Sequence, residues 1–239
     1  MTDPADAARR SPWRTATVVA IRDETPTAKT FRLALPEPSS HRAGQHYVLR
    51  LTAPDGYTAS RSYSVASAPD GTAEIELTVE RLADGEVSTF LHDVVVAGDE
   101  LEVRGPIGGW FVWDADRPAL LVGGGSGVVP LMAMLRLARR LGRSDLVRLV
   151  VSARSPDVLY YRDELPGPES RIAFTRVAAP GSARLPGRLT PGDFARVARP
   201  DATAYVCGST GFADAASDLL LAIGFPPDRI RVERFGPTG

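Results

Sequence analysis

Six short runs in the first half of the chain carry apolar or β-branched residues in alternation with polar ones. They are RTATVVAIRD at 14–23, KTFRLAL at 29–35, QHYVLRLT at 45–52, RSYSVAS at 61–67, AEIELTVE at 73–80 and DELEVRG at 99–105. A period of two is the mark of strands with one buried face. Turn chemistry separates the runs: ETPT, PEPSSHRAG, APDG twice and VAGD. Six strands at this spacing predict an antiparallel barrel. One segment, DGEVSTFLHD, breaks the rhythm, and Ser88 is placed to cap a short helix over one end of that barrel.

From about residue 118 the pattern becomes an alternation of strand and helix. PALLVGGG runs from a strand into glycines. PLMAMLRLARRLG follows as a helix, with Pro130 in its first turn, Leu131, Leu135 and Ala138 on one face and Gly142 as its stop. LVRLVVSAR and RIAFTRV read as strands. A helix near 190–198, the strand TAYVCGS, the helix FADAASDLLLAIG and the strand RIRVERF complete the chain. This order predicts a Rossmann-like parallel sheet with helices on both faces. WDADRP at 113–118 reads as the linker. The expected division is a polar, mobile tail at 1–12, a β-barrel domain at 13–114 and an α/β domain at 115–239.

Composition narrows the chemistry by exclusion. The 239 residues are 44% hydrophobic and 24% charged, with a net charge of −1. That balance gives no electrostatic reason to expect nucleic acid or an anionic membrane as partner. Arginine dominates the cations, Lys29 being the only lysine. Cys207 is the only cysteine, which excludes an internal disulfide and a cysteine-ligated iron–sulfur cluster within this sequence. His41, His46 and His92 show no metal-ligand spacing. No apolar run reaches the ~18 residues of a membrane helix. The first residues, with Arg9 and Arg10 adjacent, lack the apolar core of a signal peptide. A cytoplasmic monomer is the expectation.

GGGSGVVP at 123–130 lies between a strand and a helix. Glycines there let the backbone approach a phosphate, and the helix N-terminus supplies free N–H groups. From Gly125 the spacing is G-x-G-x-x-P, without a third glycine, so the bland alternative is a tight turn. A P-loop lacks its G-K-[ST] ending here, and Ser126 lacks the glycine spacing of a hydrolase elbow. The context favours a dinucleotide. The next strand ends in Ser152-Ala153-Arg154 rather than in an acid. Arg154, with Arg162 and Ser152, therefore leans toward the 2′-phosphate of NADPH over NADH, against the alternative of a solvated arginine.

A nicotinamide nucleotide needs a hydride acceptor, and RSYSVAS supplies a fitting donor set. Arg61 suits a phosphate, Tyr63 a polyol or ring and Ser64 a ring nitrogen, with Val65 continuing the strand. Phosphate, polyol and heteroaromatic ring in sequence describe a flavin nucleotide. Gly85 and Ser88 offer a second phosphate site, which favours FAD over FMN.

These motifs resemble those of the ferredoxin–NADP reductase superfamily of flavoproteins. R-x-Y-S matches Arg61, Tyr63 and Ser64. G-x-x-S matches Gly85 and Ser88, G-G-G-x-G-x-x-P matches Gly123 to Pro130, C-G matches Cys207 and Gly208, and E-x-aromatic resembles Glu233 and Phe235. The motifs stand in the family's order and span nearly the whole chain. The resemblance implies that Arg61, Tyr63 and Ser64 hold FAD with Ser64 near flavin N5, and that Gly85, Val87 and Ser88 meet its pyrophosphate. It implies that Gly124, Gly125 and Gly127 meet the nicotinamide nucleotide, that Cys207 and Glu233 flank hydride transfer, and that Phe235 shields one flavin face. The bland reading of Cys207 is a small buried hydrophobe, and that of Phe235 is strand packing. Two departures stand out: Ala43-Gly44-Gln45-His46 replaces the family's P-G-Q-aromatic, and GPTG follows Phe235. The function implied is transfer of hydride from NAD(P)H to FAD and of electrons onward to a ferredoxin or other redox protein. Arg32, Arg42 and Arg50 could form a docking patch, or be scattered solvated cations. Reduction of free flavin, ferric chelates or a small organic acceptor is the first alternative, and a non-catalytic flavin-binding regulatory module the second.

Overall fold

The computed structural model describes residues 11–195, 197–199 and 201–236. Most of the expected N-terminal tail, Arg196 of the expected helix near 190–198, and 237–239 of GPTG lie outside the described residues. The first half forms six strands: β1 (Arg14–Thr25), β2 (Ala28–Ala34), β3 (His46–Thr52), β4 (Thr58–Ser64), β5 (Glu74–Glu80) and β6 (Glu100–Ile107). They pair antiparallel in the order β4-β3-β6-β1-β2-β5. A bridge between Val65 and Leu77 joins the two edge strands and closes the barrel. The period-two pattern appears as alternating burial. Ile75, Leu77 and Val79 of β5 point inward onto Phe31, Leu33 and Leu49.

Two boundaries differ from the sequence expectation. The strand expected at 61–67 runs instead from Thr58 to Ser64, because its ladder with β3 ends at the Ser64–His46 pair. Beyond it the chain changes partner: Val65 N–H donates to Gln45 O at 2.9 Å and Ala66 N–H donates to Glu76 O at 2.7 Å. The helix over the barrel end is α1 (Glu86–Asp93), but its N-cap is Gly85 rather than Ser88. Ser88 lies inside the first turn, where its hydroxyl donates to Gly85 O (3.0 Å) and accepts from Leu82 N–H (3.1 Å). Val87 and Leu91 enter the barrel core.

The second half is a parallel sheet of β7 (Ala119–Gly124), β8 (Val147–Ala153), β9 (Ser170–Phe174), β10 (Thr203–Ser209) and β11 (Ile230–Phe235), in the order β11-β10-β7-β8-β9. Consecutive residues of β7 face opposite ways. Leu121 packs with α2 (Val128–Arg140), while Leu120 and Val122 pack with α3 (Pro191–Phe194) and α4 (Thr210–Ala222). The helix expected near 190–198 is thus four residues long, started by a capping box between Thr190 and Asp193. The order reverses between β7 and β10, the place where open α/β sheets bind ligands.

The linker segment 113–118 is packed against the rest of the fold. Trp113 is 1% exposed, bridges Ala43 and donates its indole N–H to Arg117 O at 2.9 Å. Arg42 pairs with Asp114, and Arg143 donates to Ala115 O at 2.8 Å. Among the described residues no helix is long and apolar enough to cross a membrane.

Candidate functional site

The register of β3 and β4 fixes the first set of side chains. Arg61 stands opposite Leu49, Tyr63 opposite Tyr47 and Ser64 opposite His46. Arg61 is exposed, and its one hydrogen bond among the described residues is from Nη1 to Ser60 O at 2.8 Å. Most of its donors therefore face outward. Ser64 is buried, and burial raises the Tyr63 phenol well above its usual range. The N-terminus of α1 packs beside β4, and Tyr57, which precedes the strand, donates its hydroxyl to Glu86 at 3.2 Å. The first-turn amides of Glu86, Val87 and Ser88 have no helical acceptor. They lie next to the strand that carries Arg61. Ser88 contributes through its backbone here, because its hydroxyl is committed to closing the turn. Gly85 is required by this closure: a Cβ would collide with the Ser88 hydroxyl.

The second set lies where β7 and β10 end. Gly125 has φ +56°, the left-handed region, and opens the turn from β7 into α2. A Cβ on Gly127 would overlap the Cys207 carbonyl oxygen, so only glycine lets α2 start against β10. Gly124 and Gly208 hold the ring of Phe212 between them; a Cβ would meet it at 2.5 Å and 2.6 Å respectively. Phe212 escaped the sequence reading because no motif marks it; one of its glycine partners, Gly124, is far away in sequence. Ser152 is buried at the end of β8, beside Gly124. Arg154 is exposed just beyond, its carbonyl accepting from Arg176 N–H at 2.9 Å. Arg162 lies eight residues beyond Arg154. It donates to Asp157 O at 2.8 Å and lines a cavity of about 630 Å³ with Arg22, Glu24 and Glu164.

The third set is paired by the parallel register of β10 and β11, with Cys207 beside Glu233 and Ser209 beside Phe235. Cys207 is fully buried; burial pushes its thiol up, and the neighbouring Glu233 adds to the shift. Glu233 Oε2 is buried without a hydrogen-bond partner, and burial pushes this carboxyl up to about 7. The pair is thus uncharged below neutrality. Phe235 packs on the same apolar cluster as Cys207. Nearer the start of the same edge, Arg231 donates to Trp110 O (3.0 Å) and Val112 O (3.1 Å), tying β11 to the barrel. His46, which stands where the family has an aromatic, lies directly across from Ser64, and burial lowers the pKa of its imidazole.

Arg32, Arg42 and Arg50 do not form a free basic patch. Each pairs with its own carboxylate, Glu74, Asp114 and Glu102 respectively, and Arg50 also stacks on Trp13 at 4.2 Å.

Two family models match this chain. Residues 15–112 match the oxidoreductase FAD-binding domain, and residues 121–218 match the oxidoreductase NAD-binding domain. The reductase component of propane 2-monooxygenase from Rhodococcus jostii is 30% identical over 235 residues, covering 91% of this chain and 62% of the relative. The glycine betaine monooxygenase reductase subunit of Chromohalobacter salexigens is 32% identical over 236 residues, covering 92% and 63%. The chain therefore spans less than two thirds of the length of these curated relatives. Among solved structures, the flavohem-like FAD/NAD-binding domain of nitric oxide dioxygenase from Vibrio cholerae superposes with a TM-score of 0.83 at 26% identity. That superposition covers 95% of this chain and 100% of the other.

The buried Glu233 carboxyl makes a signed prediction. Below its ordinary value of 4.5 it is neutral whether folded or unfolded, and above about 7 it is charged in both states. Between these limits the folded state resists losing the proton, so this group's contribution falls as pH rises through the window. In urea denaturation from about pH 5 to about pH 8, the wild type should lose stability relative to Glu233→Gln. A difference that does not change with pH would mean that the carboxyl titrates in the ordinary range.

Proposed function

Because the chain belongs to the ferredoxin–NADP reductase superfamily of flavoproteins, we propose that it is an FAD-dependent reductase that takes hydride from NAD(P)H and passes electrons to a separate redox protein. In this reading residues 13–114 carry FAD and residues 115–239 the nicotinamide nucleotide. One observation carries it: Ala66, two positions past Ser64, shares a single apolar cluster with Val128 of the glycine turn, with Cys207 and with Phe235. Four motifs distant in sequence converge at one junction.

The residues present fit both groups. The outward donors of Arg61 and the free amides of α1 suit a pyrophosphate, and Tyr63 and Ser64 suit a polyol and a ring edge. The glycines at 124, 125 and 127 leave backbone room for a dinucleotide at the switch point. Bound FAD would supply hydride acceptance and release of electrons one at a time. The protein's part is to align and to insulate. Ser64 offers a hydroxyl to the ring edge. Cys207 and Glu233 line the transfer point, and burial disfavours the ionised form of both, which lessens the negative charge facing the arriving hydride. Phe235 covers the apolar side of the junction and excludes water.

The exposed guanidinium of Arg154 supports NADPH as the preferred donor. The curated relatives named above are reductase components of monooxygenases, which supports a ferredoxin or an oxygenase component as acceptor.

An anaerobic visible spectrum before and after one equivalent of NADPH, repeated with NADH, tests the proposal. A flavin spectrum that bleaches, faster with NADPH, is the expected result; a flavin that neither nucleotide bleaches would overturn it. Arg61→Ala should weaken FAD binding by about 10–100-fold, the worth of a charge-assisted hydrogen bond of ~1.5–3 kcal/mol. Full flavin retention on gel filtration would contradict this role. Arg154→Ala should raise the KM for NADPH about tenfold and leave that for NADH nearly unchanged; equal loss with both would remove the 2′-phosphate assignment.

A further inference from the structure

Arg136 lies in the middle of α2, the helix that starts at the glycine turn, and its guanidinium is shared between the two halves of the molecule. Toward the barrel, Nη1 donates to Ala66 O at 2.9 Å and to Glu76 Oε2 at 2.9 Å. Toward its own half, Nε donates to Glu164 Oε2 at 3.1 Å, and Nη2 bonds the other oxygen of that carboxylate. The ring of Tyr161 lies 5.0 Å from the guanidinium, and its hydroxyl donates to Thr78 of β5 at 2.7 Å. Glu24, whose side chain is 6% exposed, accepts from the Tyr161 N–H at 3.1 Å and from Thr30 at 2.9 Å. Its planar fork reaches Ala66 O, Glu76 and Glu164 at once, through Nε, Nη1 and Nη2, which the point charge of a lysine cannot do.

We propose that Arg136 is a positioning residue for hydride transfer: it locks the helix that begins at the nucleotide turn onto the backbone that leaves the flavin strand, and so sets how the two rings approach. The inference rests on the function proposed above. Stability is a poor explanation for this arrangement. Burying a guanidinium and two carboxylates has a desolvation cost that often cancels their attraction, and an apolar residue of similar volume commonly serves as well. Direction is what an ionic fork adds. Ala66 is two residues from Ser64, and Gly127 caps the start of α2, so a change in this junction moves one motif against the other. Misplacement of about 1 Å between reacting groups can lower a rate by ~100-fold without weakening binding.

The test uses the flavin-loaded protein with Arg136→Met and Arg136→Lys. Both should keep their flavin and keep the KM for NADPH within about twofold, while kcat falls by roughly 10–100-fold. The long-wavelength charge-transfer absorbance of nicotinamide stacked on flavin should disappear with it. Unchanged kcat and charge-transfer absorbance in Arg136→Met would overturn the proposal, as would full recovery in Arg136→Lys. Loss of flavin in parallel with activity would reduce Arg136 to a structural role and overturn it too. If the wild type itself takes up no flavin, the reading of the site is what fails. Thermal unfolding of Arg136→Met, Glu76→Gln and the double variant then examines the junction alone. Non-additive shifts in Tm support it, and additive shifts overturn it.

Discussion

The turn at Val65-Ala66 is the constraint on which the remaining structure depends. Up to Ser64 the chain belongs to a ladder with β3, and from Ala66 it is bonded to β5. The Val65 amide still bonds Gln45, just before β3, while the Ala66 amide bonds Glu76 of β5 and the Ala66 carbonyl accepts from Arg136. A buried amide or carbonyl left without a partner costs about 1–3 kcal/mol, so the crossing is held tightly. It closes the barrel, aims Ser64 and His46 to one side, and offers α2 its anchoring point. Barrel closure and the junction of the two halves are therefore one feature.

Much of the architecture was legible in the pattern of the sequence, because burial has the same period as the backbone. The alternation in EIELTV and the switch to a 3.6-residue period after the glycines mark a barrel followed by a parallel sheet. What the pattern missed has a physical reason in each case. Val65 and Ala66 are as buried as strand residues, so the run hides the end of β4, which is set by the loss of its partner. Ser88 resembles a cap, yet Gly85 takes that position because the turn has no room for a Cβ. WDADRP reads as a linker, and its polar residues gave no hint that Trp113 is buried against Ala43, which lies far away in sequence.

The candidate site divides in the same way. The glycines and the R-x-Y-S run are local signals, since backbone room and donor type are written in the residues themselves. Phe212 and Arg136 stand outside every motif, and His46 is marked only as a departure from one. Their significance arises from contact with Gly124 and Gly208, with Ser64, and with Ala66, and each of these contacts is created by the fold. The Glu233 carboxyl belongs between the two classes. Its presence is readable, but its reluctance to ionise comes from burial beside Cys207 and from the absence of a donor for Oε2.

The burial of Trp113 bears on how this fold can be combined with others. A covalent connection that is itself core cannot act as a hinge. Phe111, Trp113 and Ala43 share a cluster with Leu131 and Leu135 of α2, so each half completes the interior of the other. Severing the chain near residue 114 would leave two fragments with sticky apolar faces rather than two working modules. Shuffling by recombination should accordingly transfer barrel and parallel sheet together, as one cassette, with new elements attached at the ends of the pair and not between its members.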